Sequence, residues 1–136
     1  MLFRSTTLNW IGICYTKLKD FDKAFNWKEK ALVMRRELLG SDHQDVLKSS
    51  FELAQIQVEQ GHSEEALKML RDVASRQDKL LGCHPYTVQT YNALGSLLEK
   101  FGNNCEAKSV RSKAEEYSCE INKRQIEYRR LSSDEN

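Results

Sequence analysis

The tripeptide Leu-Leu-Gly decides the fold, because it stands at residues 38–40 and returns at 80–82, 42 residues further along the chain. A histidine follows each copy, His43 after the first and His84 after the second. Self-similarity at a fixed period is the signature of a repeat architecture, in which each unit buries its apolar face against its neighbours. The sequence therefore predicts an array of similar structural units.

Three alanines recur with the same period. Ala24 and Ala66 stand 42 residues apart, and Ala107 follows 41 residues later. The missing residue falls in the loop after the second Leu-Leu-Gly, and surface loops absorb such length changes. We therefore predict three repeats, at residues 5–40, 44–82 and 85–121.

Each repeat has the pattern of two helices joined by a short turn. In the first repeat, Leu8, Ile11, Tyr15 and Leu18 follow the i, i+3, i+7, i+10 spacing of one buried helix face. The chain contains only one proline, and its six glycines fall at turns or at helix crossings. The predicted fold class is all-α: an α-solenoid of three helix-turn-helix repeats with a longer C-terminal helix. Residues 122–131 are predicted to extend the last helix, and residues 132–136 to form a disordered tail.

Composition excludes several classes of protein. The net charge of +1 argues against nucleic-acid binding, which usually requires a basic stripe. No apolar run reaches the roughly 20 residues that a membrane helix needs, and no signal-peptide core follows Met1. The four cysteines have no disulfide or metal spacing, so we predict buried structural thiols in a reducing compartment, the cytoplasm.

Catalytic and ligand-binding motifs are absent from the sequence. We find no metal-ligand spacing, no glycine-rich phosphate loop and no nucleophile motif, so the chain is predicted to have no enzymatic activity, metal or cofactor. His43 and His84 are predicted to form structural hydrogen bonds in the joints between repeats. Ser132 follows Arg129-Arg130 and is a candidate phosphorylation site, with a chance match as the alternative.

The first helix of each repeat is predicted to line the concave side of the array, where a partner would bind. Offsets from the three alanines select the residues that face away from the paired helix. In the first two repeats they are Asn9, Ile13, Lys17, Lys48, Phe51, Gln55 and Val58. In the third repeat they are Gln89, Asn92, Ser96 and Glu99.

These motifs together resemble tetratricopeptide repeats, and the 42-residue period resembles the longer variant found in kinesin light chains. The fullest match lies in the third repeat: Leu81-Gly82, His84-Pro85-Tyr86-Thr87, Asn92-Ala93-Leu94-Gly95, Gly102 and Ala107. The chain departs from the pattern at Gln44 and Gln57, and at Lys28 and Arg111, which occupy a site that is normally apolar. The resemblance implies a non-enzymatic adaptor that binds an extended peptide of a partner protein, in the cytoplasm and in association with the cytoskeleton.

In the families that this pattern resembles, an asparagine at the place of Asn9 and Asn92 hydrogen-bonds the backbone of the bound peptide. We expect one extended segment to cross the first helices and to contact these asparagines. Phe51 occupies the same offset in the second repeat, and it either forms an apolar pocket for a peptide side chain or supports packing.

A structural role is the alternative function. The first repeat has no polar capping helix before it, so an apolar surface is predicted on its outer side. That surface would dock end-on against further repeats or against a like chain, and a fragment or short isoform of a longer array would have this pattern.

Overall fold

The computed structural model describes residues 2–135, and within them the chain is helical with no strand. The helices are α1 (Leu2–Lys17), α2 (Phe21–Leu39), α3 (Gln44–Glu59), α4 (Ser63–Leu81), α5 (Pro85–Lys100) and α6 (Asn104–Asp134). The predicted all-α repeat fold is confirmed. The chain divides into two compact units, residues 1–76 and residues 77–136.

The turn inside each helix pair has one residue in the left-handed region of backbone space. Gly61 and Gly102 adopt φ values of 84° and 77°, and Lys19 adopts 59° at the equivalent place in the first repeat. A side chain with a Cβ atom is strained in this region, whereas glycine is not. The first repeat therefore makes the same turn as the others at a conformational cost.

The joints between repeats are closed by histidine caps. The Nδ1 atom of His43 accepts a hydrogen bond from the backbone N–H of Asp45, and that of His84 accepts one from Tyr86, each at 3.1 Å. The imidazoles thereby satisfy donors at the start of α3 and α5 that have no partner within the helix. The predicted structural hydrogen bonds of the two histidines are confirmed. Pro85 fits the first position of α5, where no backbone donor is needed.

The core of the first unit lies between α2 and α3. Leu32, Val46 and Leu53 form a buried cluster, and Phe25, Leu39 and Met69 pack against its edge. Three polar contacts join α2 to α3 and its C-cap: Lys28 with Glu52, Arg35 with Ser49, and Asp22 with Gln60.

The three alanines that set the repeat period are buried. Ala24 and Ala66 are 0% exposed and Ala107 is 1% exposed, as a small residue at a close helix contact should be. Leu18, which the sequence pattern assigned to the core stripe of α1, is instead 74% exposed. The reason is that α1 ends at Lys17, so Leu18 belongs to the turn.

The second unit packs α5 against α6. Leu94, Leu97 and Leu98 of α5 and Ala107 and Ala114 of α6 are all buried. The hydroxyl oxygen of Thr90 lies 2.6 Å from Oε1 of the buried Gln77 and 3.0 Å from the backbone carbonyl of Tyr86, and its single proton is shared between these two acceptors.

The last helix runs further than the sequence suggested. It continues through Asp134, so residues 132–134 of the predicted disordered tail are helical, and Asn136 lies outside the described residues. The hydroxyls of Ser132 and Ser133 bond the carbonyls of Arg129 and Arg130 within the helix. No glycine or proline interrupts this segment, which explains the continuation.

Candidate functional site

The predicted partner-binding residues of the first unit differ in exposure. Lys17, Lys48 and Gln55 are exposed, whereas Asn9, Ile13 and Val58 are half-buried. Of the two roles proposed for Phe51, the structure favours packing, because its side chain is only 6% exposed. The other role left open by the sequence, a pocket for a peptide side chain at Phe51, is not favoured by this burial. Phe51 is one of the buried residues of α3, and burial of an aromatic ring stabilises the unit directly.

The predicted residues of the second unit form a polar strip along α5. Gln89, Asn92, Ser96 and Glu99 follow helical spacing and are all exposed. The amides of Gln89 and Asn92 can each donate and accept hydrogen bonds, which suits recognition of a peptide backbone.

Arg111 reaches this polar strip from the neighbouring helix. Its guanidinium lies on α6, yet Nε is 2.9 Å from Glu99 Oε1, and Nη2 donates to Glu99 Oε2 at 3.0 Å and to Ser96 Oγ at 3.2 Å. Sequence reasoning missed Arg111 as part of this surface. Two features of the sequence could have indicated this role. Arg111 is a basic residue at a normally apolar position of α6, and the first helix of the same repeat carries a glycine where the two helices cross.

Gly95 makes this reach feasible. A Cβ atom built on Gly95 would lie 2.9 Å from Cγ of Arg111, closer than side-chain carbons approach one another. The stem of Arg111 therefore passes over the bare backbone of α5 before the guanidinium meets Glu99.

In the first unit, a lysine side chain likewise passes over a glycine of the paired helix. A Cβ atom on Gly12 would lie 2.5 Å from Cγ of Lys28, whose Nζ is 2.9 Å from Glu52 on α3. Lys28 is only 7% exposed, and Glu52 supplies the opposite charge beside it. The middle repeat has Ala54 and Leu70 at the same two offsets, both buried. Where the first helix of a repeat has glycine at the crossing, the second helix carries Lys28 or Arg111. Where the first helix has Ala54, the second helix carries the apolar Leu70.

A second charged cluster in the second unit is structural in character. Asp78 accepts a hydrogen bond from Lys113 at 2.6 Å and another from the Tyr117 hydroxyl, and the Lys113 ammonium lies 5.3 Å from the ring centre of Tyr91. Partial burial opposes ionisation of Asp78, but the hydrogen bonds from Lys113 and Tyr117 outweigh it, and the pKa of this carboxyl is lowered. The hydrogen bond to Asp78 raises the pKa of Lys113, so this ion pair stays formed at neutral pH.

The cysteines are less buried than the sequence predicted. Cys14, Cys105 and Cys119 are exposed, and only Cys83 is half-buried, where its thiol contacts the carbonyl of Tyr117 at 3.2 Å. The prediction of buried structural thiols is wrong because three of the four lie on outward helix faces. Among residues 2–135 there is no group of three or more side chains arranged to hold a metal ion. Nor does the described chain contain a helix that is both long and apolar enough to cross a membrane.

Comparison with known families identifies this repeat. The family model for the tetratricopeptide repeat matches residues 3–79, more than half of the chain. The chain belongs to the tetratricopeptide repeat family. Members of this family are typically non-enzymatic scaffolds that mediate protein–protein interaction. No curated protein matches the chain.

Solved structures of other repeat proteins share its fold. Two crystal structures of a kinesin light chain-like protein of Podosopora anserina, with nearly identical TPR-like repeats, match at TM-scores of 0.76 and 0.74. Their sequences are 21% and 22% identical to this chain, covering 88% and 87% of it and 57% and 56% of theirs. The crystal structure of BtubC (BKLC) from P. vanneervenii matches at a TM-score of 0.79 with 18% identity, covering 87% of this chain and 48% of that one. The chain therefore spans about half the length of these structures, and the likeness concerns the fold.

Proposed function

We propose that this chain is a protein-interaction module whose first helices bind an extended peptide segment of a partner protein. Membership of the tetratricopeptide repeat family supports the general role. The specific proposal rests on the polar strip of α5. There the exposed amides of Gln89 and Asn92 lie near the guanidinium of Arg111, which reaches α5 from α6 because Gly95 has no side chain.

The chemistry of the strip suits an extended peptide. An extended peptide has backbone N–H and C=O groups without partners of their own, and the side-chain amides of Asn92 and Gln89 can pair with both. Arg111 is partly neutralised by Glu99, so the strip presents no strong net charge. Its side chains stand on packed helices, and this rigidity lowers the ordering cost of association. In the first unit, Asn9 is the residue that we propose for the same role.

A peptide selection tests this function. We would select binders from a random peptide library against the immobilised full chain and measure the affinity of a selected peptide by fluorescence anisotropy. Asn92→Ala should weaken binding about 2- to 12-fold, the effect of one lost hydrogen bond of roughly 0.5–1.5 kcal/mol. Asn122→Ala removes an exposed asparagine from α6 and is the matched control.

The first unit has its own pair of variants. Asn9→Ala should reduce the affinity, and Asn26→Ala, which changes an exposed asparagine of α2, should leave it unchanged. Circular dichroism confirms that each variant keeps its helicity. If both Asn9→Ala and Asn92→Ala bind as tightly as the wild type, the peptide does not use the first helices and the proposal fails.

We propose that the chain acts in the cytoplasm in association with the cytoskeleton. Four free cysteines support a reducing compartment. Microscopy of a fluorescent fusion of the chain, expressed with a membrane and a cytoskeletal marker, checks this location, and exclusive labelling of an organelle lumen would contradict it.

A further inference from the structure

An apolar face of α1 is open to solvent in the first unit. Phe3, Trp10 and Leu18 are 90%, 62% and 74% exposed. Helical spacing places Phe3 and Trp10 on one side of α1, with Leu18 just beyond its end on the same side. Thr7 and Cys14, which are also exposed, lie between them on this α1 face.

The α1 face occupies a docking position of the repeat. In α3 and its C-cap, Ser49, Glu52 and Gln60 bind α2 through hydrogen bonds of 2.7, 2.9 and 2.8 Å. The residues 42 positions earlier in the sequence are Thr7, Trp10 and Leu18. The α1 face is therefore the counterpart of a surface that binds another helix in this same unit, with apolar side chains at two of the three places where α3 has polar ones.

The last helix of a second copy does not fit this face. In α2, Phe25, Leu32 and Leu39 form the apolar side of the contact with α3. The corresponding residues of α6 are Lys108, Glu115 and Asn122, all exposed. A head-to-tail contact would bury Phe3 and Trp10 against a charged surface, which is unfavourable.

The α1 face is complementary to itself. Phe3 and Leu18, and likewise Thr7 and Cys14, are spaced symmetrically about the point between Trp10 and Ile11, half a residue from Trp10. If two α1 helices cross antiparallel, Phe3 meets Leu18 of the second copy, Thr7 meets Cys14 of the second copy, and the two Trp10 rings lie at the centre. Such a contact is isologous, because one surface supplies both sides and closes the assembly at two copies.

We propose that two copies of this chain associate through their α1 faces in an antiparallel, twofold contact. This inference goes beyond the proposed peptide binding and does not depend on it. The three large side chains offer roughly 450 Å² of surface per copy, given the 150–250 Å² that an aromatic side chain can bury. The total of about 900 Å² lies below the roughly 1,000 Å² of a stable specific interface, so we expect a weak dimer that dissociates on dilution.

Sedimentation equilibrium of the full chain over a wide concentration range tests the proposal. The wild type should shift from monomer to dimer. Trp10→Glu should weaken dimerisation at least about 10-fold, because it places two carboxylates at the twofold axis, where like charges repel. The substitution gives α1 the residue that α3 carries at this offset, Glu52, so the fold should tolerate it. Tyr128→Glu is the matched control, since it removes an aromatic residue that is 75% exposed on α6.

A cross-link tests the antiparallel register. Thr7→Cys places a thiol opposite Cys14 of the second copy, and mild oxidation should give a covalent dimer linked through these two positions, identified by peptide mass spectrometry. Asn26→Cys, on α2, should not increase cross-linking to Cys14. A monomer at all concentrations, equal dissociation by Tyr128→Glu and Trp10→Glu, or assemblies larger than a dimer would each overturn the proposal.

Discussion

Replacing Gly12 with alanine should destabilise the first unit although alanine is the better helix former. Alanine in a helix interior is favoured over glycine by about 1 kcal/mol. The new methyl group, however, would lie 2.5 Å from Cγ of Lys28, an atom that moves only if the whole side chain turns. Overpacking of this kind costs about 1–3 kcal/mol, and turning Lys28 also removes its ammonium from Glu52. We expect Gly12→Ala to lower the free energy of unfolding by up to about 2 kcal/mol, the overpacking cost less the gain in helix propensity.

A second substitution should reverse this loss. Lys28→Leu in the Gly12→Ala background recreates the Ala54 and Leu70 combination of the middle repeat, in which both side chains are buried. Lys28→Leu leaves Glu52 without its partner, but the Glu52 side chain is 28% exposed and remains in contact with water. The double variant should therefore be more stable than the sum of the two single effects predicts, with a coupling energy of about 1–3 kcal/mol between the two sites.

Urea unfolding followed by tryptophan fluorescence measures this cycle. Both tryptophans of the chain, Trp10 and Trp27, lie in the first unit, so the signal reports the unit that is altered. Lys28→Leu alone completes the cycle and shows the cost of the lost ion pair. The reasoning is refuted if the two effects add within about 0.5 kcal/mol, or if Gly12→Ala by itself stabilises the unit.

Three further outcomes are expected. Lys19→Gly should raise the free energy of unfolding by about 1 kcal/mol in urea titrations, because it removes a side chain from a left-handed turn, and a loss of stability would contradict this account. Because the pKa of Asp78 is lowered in the folded state, its contribution to stability is complete above the pKa of an unfolded aspartate and is lost as the pH falls through the folded value. Asp78→Asn should therefore flatten the acid side of a stability–pH profile. An unchanged profile would show that Lys113 and Tyr117 contribute no net stabilisation through Asp78. In the dilute monomer, the helical amides of residues 5–20 should exchange faster than those of α2 and α3, because local opening follows low contact density, and slower exchange there would contradict the open α1 face.

Most of the fold could be predicted from the repeat itself. The period of the alanines located packing positions that the structure buries completely, because only a small side chain fits where two helix backbones approach closely. The histidines of the joints were also predictable, since a residue before a helix that can accept a hydrogen bond satisfies its first donors. The end of α6 was less predictable, because the local sequence neither stops nor strongly favours a helix there.

The candidate site was harder to read than the fold. Periodicity gives the side of a helix on which a residue lies, and it placed Asn92 and Gln89 on an exposed face of α5. It does not tell how far a neighbouring element covers that face, so Phe51 was assigned to a surface although it is buried. Arg111 was noticed only as a departure from the family pattern, because its role depends on a glycine in another helix.

The pairing of Gly12 with Lys28, and of Gly95 with Arg111, has a consequence for how such repeats can be recombined. A consensus repeat built position by position from this chain would choose the two residues independently. It could then join alanine to arginine, which collide, or glycine to leucine, which leave a gap. Engineered arrays and natural duplications of this chain should therefore exchange both helices of a repeat together. The residue on the first helix and the residue on the second helix pack well only as a matched pair.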